Sequence, residues 1–66
     1  MDEFIETRRQ LIYDSEPFLR SSYQPSTALE DLTKYLQTKH PNVEPVLIWA
    51  VAKTEIEAYE DEIGLG

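Results

Sequence analysis

A chain of 66 residues holds one domain at most, and at this size folding buries only about 60% of the surface that the unfolded chain exposes. It has no cysteine, which excludes disulfides and Cys-based zinc sites and leaves oligomerisation or a partner as the remedy for a small core. The net charge of −7 argues against direct binding of nucleic acid or an anionic membrane, whereas 41% hydrophobic and 29% charged residues are the composition of a folded domain.

The N-terminal MDEFIETRRQ is acidic and amphipathic, unlike a secretion signal, and the longest apolar run is too short to span a bilayer, so a soluble cytoplasmic protein is expected. From Asp2 onward the apolar pairs Phe4-Ile5, Leu11-Ile12 and Phe18-Leu19 recur at intervals of seven, as in a helix with one apolar face. Asp2 and Glu3 suit the positive end of its dipole. Pro17 interrupts the pattern, because it lacks an N–H and disfavours helical geometry at Glu16. The reading favours a break, with one helix stopping near Tyr13 and a short second one capped by Ser15, over a single kinked helix.

Ser21 to Ser26 is rich in turn formers and forms a connection. Thr27 and Glu30 then have the spacing of a capping box before an apolar run. Leu29, Leu32, Tyr35 and Leu36 share one face of the next helix, Glu30 and Lys34 form an i,i+4 pair opposite, and Lys39 and His40 suit its negative end before Pro41 stops it. Asn42 is the expected N-cap of the last helix, Pro45 falls in its first turn, and Gly64 closes it.

The last helix, Val43 to Ile63, organises this reading. Seven consecutive apolar residues, Val46 to Ala52, are also compatible with a buried strand. The three-four spacing of Trp49, Ala52, Ile56, Tyr59 and Ile63 crosses Lys53-Thr54 without a break, and no Gly or Pro occurs between Pro45 and Gly64, so helix is preferred. Its first half is apolar on every side, which two short neighbouring helices are not expected to cover. Its second half carries Glu55, Glu57, Glu60, Asp61 and Glu62 with no base, against its own dipole. Tyr35, Trp49 and Tyr59 fall on apolar stripes and are read as core residues, while Tyr13 and Tyr23 flank helix ends. The expected fold is all-α: a three- or four-helix bundle with a long C-terminal helix, completed by dimerisation.

Chemistry finds little support. His40 stands alone at a helix end, the serines are accounted for by caps and loops, and both glycines lie at the C-terminus, which rules out a Gly-rich phosphate loop. Glu57 and Asp61 share a face, but neither an EF-hand loop nor a Glu-x-x-His pair accompanies them. No catalytic, cofactor-binding or metal-binding residue is assigned. The leading expectation is a regulatory or adaptor protein–protein interaction module, either a homodimer or a subunit docking on a larger protein with a basic and apolar surface. Its interaction residues are read as Leu47, Trp49, Val51, Ile56, Tyr59 and Ile63, with Glu57, Glu60 and Asp61 as the acidic component. The alternative is an acidic inhibitor that imitates nucleic acid. Against it, residues 1–53 carry eight acids and six bases, so only the final segment is strongly negative.

Overall fold

In the computed structural model residues 2–64 are described, with side chains from Phe4 onward. They form three helices and no strand: α1, Asp2–Ser22; α2, Ala28–Lys39; and α3, Pro45–Glu62. The first turn expected to be acidic at Asp2 and Glu3 lies outside the described side chains.

α1 is the longest helix, with 21 residues, so neither the break expected after Tyr13 nor the expected primacy of the final helix is found. Pro17 and Tyr13 are both exposed, which leaves the carbonyl that Pro17 cannot satisfy open to water. Beyond the proline, Leu19 is buried and the Phe18 ring stacks on Tyr35 of α2 at 4.7 Å, so tertiary packing carries the helix through. Ser15 is not a cap. It lies buried in mid-helix, where its hydroxyl donates to the Leu11 carbonyl at 2.7 Å.

α2 starts where expected, with Thr27 at the N-cap, but the capping box does not form: the Thr27 hydroxyl donates to Asp31 Oδ2 at 2.7 Å. The expected Glu30–Lys34 ion pair is likewise absent among the described residues. Ala28, Leu32 and Leu36, spaced by four, form the buried face of α2. At its end His40 is the C-cap, its N–H donating to the Leu36 carbonyl at 2.8 Å. The expected solvated imidazole is instead only 20% exposed, with Nε2 2.6 Å from Asp14 Oδ2 of α1.

α3 begins two residues later than an Asn42 cap implies. Pro45 forces the preceding residue into extended geometry, so Glu44 (φ −61°, ψ 134°) is the N-cap and Pro45 is the first helical residue. At the other end Gly64 has φ +88° and donates its N–H to the Asp61 carbonyl at 3.3 Å, the left-handed closure that glycine permits.

The packing is up-down-up. α1 and α3 run side by side in the same direction: Phe4, Arg8 and Ile12 share a groove with Leu47, Val51 and Glu55, and farther along Glu16, Leu19 and Arg20 share one with Ala58, Tyr59 and Glu62. α2 lies against both, and the core is Leu11, Leu19, Ala28, Leu32, Leu36, Ile48, Val51, Ala52 and Ile56. α2 has only 12 residues, about 18 Å at 1.5 Å per residue, against about 32 Å for α1. Because its C-cap, His40, is level with Asp14, α2 stops short of the first turns of α1, where Phe4 and Ile5 lie, and of the first turn of α3, where Val46 lies.

Candidate interaction surface

That uncovered end carries three of the six large exposed apolar residues. Phe4 and Ile5 of α1 are each 57% exposed and Val46 of α3 is 72% exposed, while Ala50 beside them faces solvent. Between the helices runs an open groove. One part, about 460 Å³, is lined by Phe4, Thr7, Val43, Glu44, Val46 and Leu47, and a second, about 260 Å³, continues over Ile12 and Val51 to Thr54 and Glu55. The charges along it differ by edge. Arg8 and Arg9 stand on the α1 side with Ile5 and Ile12, and Glu44 stands at the start of α3. Among the described residues no opposite charge lies within 4.0 Å of any of the three.

The residues expected to form the interface are divided by the fold. Leu47 is half-buried in the groove. Val51 and Ile56 are buried in the chain's own core, so the partner-facing role expected of them is corrected. Trp49, expected on the core seam, is 46% exposed, with the Lys53 ammonium 5.2 Å from its ring centroid, and it shares a groove with Leu29 and Thr33 of α2. The true inward line of α3 is Ile48, Val51, Ala52 and Ile56, continued by half-buried Tyr59. Ile63 is 47% exposed at the far end, away from the groove.

The acidic component is divided as well. Glu57, Asp61 and Glu62 are exposed, but Glu60 is engaged: the Tyr23 phenol donates to its Oε2 at 2.5 Å, and the Tyr23 ring leans on Tyr59 with centroids 5.0 Å apart. This contact ties the α1–α2 connection to the end of α3. The hydrogen bond to Glu60 pushes the Tyr23 pKa from 10.0 up to about 12, since the phenol must keep its proton to donate. The raised value means that the contribution to stability is whole below pH about 10 and is lost as pH rises toward 12. The stability difference between wild type and Tyr23→Phe is therefore expected to stay constant up to about pH 10 and to close between about pH 10 and 12. Denaturant titrations at each pH measure it, and a difference unchanged at the alkaline limit would show that the phenol–carboxylate bond contributes nothing.

Glu55 lies at the other border of the groove, facing α1. Burial raises its carboxyl pKa, the Glu16 carboxylate adds to that shift, and Arg8 opposes it. Ionised Glu55 is thus held where burial disfavours its charge, and Arg8 is the nearest cationic influence on it.

The signals that could have revealed this surface lie in lengths. Thr27 and Pro41 confine α2 to about three turns, and an α1 continuous through Pro17 must then outrun it. No such signal exists for the His40–Asp14 and Tyr23–Glu60 contacts, which join residues 26 and 37 positions apart. Comparison with protein-family models, curated proteins and solved structures yields no match, so this chain's own residues carry the reading. No described helix is long and apolar enough to cross a membrane.

Proposed function

We propose that this chain is a protein–protein interaction module that docks an apolar surface of a partner onto the open end of its α1–α3 pair. The observation that carries the reading is the open groove that exposed Phe4 and Val46 line together with Leu47, past the end of the short α2, with exposed Ile5 beside Phe4 on the α1 flank. Contiguous exposed apolar surface on a small domain marks a binding site more often than isolated exposed residues do. Full burial of each such side chain is worth about 1.5–3 kcal/mol, so covering two or three of them supports a specific association.

The reading narrows the interface expected from the sequence. It retains Leu47 and moves the emphasis from the acidic end of α3 to its beginning and to the start of α1. Val46→Asp tests it. Val46 is largely exposed, so the variant should keep the wild-type circular dichroism and melting temperature while its association weakens at least tenfold. Ile63→Asp, at the other end of α3, should associate like wild type. Sedimentation and capture of partners beside both variants decide the matter: association indifferent to Val46→Asp, or no association by wild type at all, rejects the module.

A further inference from the structure

Resting on that reading, we infer that the occupant of the groove is a second copy of the same chain, packed about a two-fold axis so that each copy's Arg8 and Arg9 face the other's Glu44. An apolar patch with guanidiniums on one edge and a carboxylate on the other is complementary to itself about a two-fold axis that runs along the groove, because that axis sets each edge against the opposite edge of the partner. Arg8, Arg9 and Glu44 are exposed and have no opposite charge within 4.0 Å among the described residues, so they are free to pair across such a contact.

The apolar part agrees. Where each copy has only two helices, two copies supply four, the number that closes a bundle around Phe4, Ile5, Val46 and Leu47. A standard interface covers about 800 Å² per partner, roughly one-sixth of the 4782 Å² of surface that this chain presents.

The excess negative charge lies outside the contact. The excess acid lies at the far end of α3, where Glu57 is eleven residues from Val46, about 16 Å along the helix. That is twice the Debye length of about 8 Å at physiological ionic strength. Glu44 shares its part of the groove with Phe4 and Thr7, nearer the end of the molecule than Arg8, so the axis that brings them together is inclined to the helices.

The test is a charge exchange read by sedimentation equilibrium and native mass. The Arg9→Glu chain and the Glu44→Lys chain should each keep the wild-type circular dichroism, since Arg9 is exposed and the Glu44 side chain makes no capping bond, while Arg8 is left in place because it bears on Glu55. Each should dimerise at least tenfold more weakly than wild type. Mixed one to one, they should recover dimerisation, because each contact between positions 9 and 44 in the mixed pair again joins opposite charges. An Asp61→Lys/Glu62→Lys chain should dimerise at least as well as wild type. Undiminished dimers of the Glu44→Lys chain, failure of the mixture to recover, or assembly lost only in the Asp61→Lys/Glu62→Lys chain overturns the inference. A wild type that stays monomeric up to several hundred micromolar also overturns it. In that case capture of a foreign protein that Val46→Asp abolishes would leave the module standing, and its absence would remove both.

Discussion

Leu36→Ala is expected to be strongly destabilising. Leu36 is fully buried and is the last of the three core residues of α2, and its carbonyl receives the N–H of the cap residue His40. Truncating a buried leucine costs about 2–5 kcal/mol, made up of lost transfer energy and the cavity left behind. At roughly 0.05–0.15 kcal/mol per residue, 66 residues have about 3–10 kcal/mol of stability in total, so the substitution removes a large share of it. With melting shifts of about 4–8 °C per kcal/mol in domains of this size, the midpoint should fall by at least 10 °C. Thermal unfolding followed by circular dichroism measures this. Val46→Ala, on the uncovered end, serves as the contrast and should move the midpoint little at concentrations where the chain is monomeric. Equal losses from the two variants would mean that the buried and exposed faces have been wrongly distinguished.

That distinction was only half legible in the sequence, and α3 shows why. Its helical nature follows from the unbroken three-four spacing, and both limits are marked: Pro45 forces extended backbone on Glu44, and Gly64 supplies the left-handed residue at the end. Its rotation about its own axis is not marked. Every residue from Val46 to Ala52 is apolar, so the segment fits the core in any orientation, and choosing Trp49 as the inward residue was one position out: Ile48 is buried and Trp49 lies at the edge. Only contact with α2 and α1 selects the phase, and a helix that must also bury Ala52 and Ile56 admits Ile48 on the same line. The all-round apolar character did carry a true message. Part of the segment remains uncovered, though the cause is a short α2 beside a long α1, not a shortage of helix in general.

Continuity through Pro17 was the larger departure, and Pro17→Ala is expected to stabilise the protein by about 2 kcal/mol. In a helix interior proline is about 3 kcal/mol less favourable than alanine, because its ring crowds the carbonyl four residues earlier and leaves that carbonyl without a donor. Proline also stiffens the unfolded chain, which returns about 0.4–1 kcal/mol and makes the net gain smaller than the helix term alone. Since Pro17 is exposed and lies inside α1, alanine restores the N–H for the Tyr13 carbonyl without disturbing the core. The melting midpoint should rise by about 10 °C. A break at this point, with Ser15 as a cap, leads to the opposite expectations. Proline would then stand harmlessly in a first turn, Pro17→Ala would gain nothing, and Ser15→Ala would cost about 1 kcal/mol. In a continuous α1 the Ser15 hydroxyl only adds a second bond to the Leu11 carbonyl, so Ser15→Ala should change stability by less than about 0.5 kcal/mol. Thermal melts of these two variants therefore separate one long helix from two short ones. They also test the basis of the open end, because only a continuous α1, held by Phe18 and Leu19 beyond the proline, sets Phe4 and Ile5 past the reach of α2.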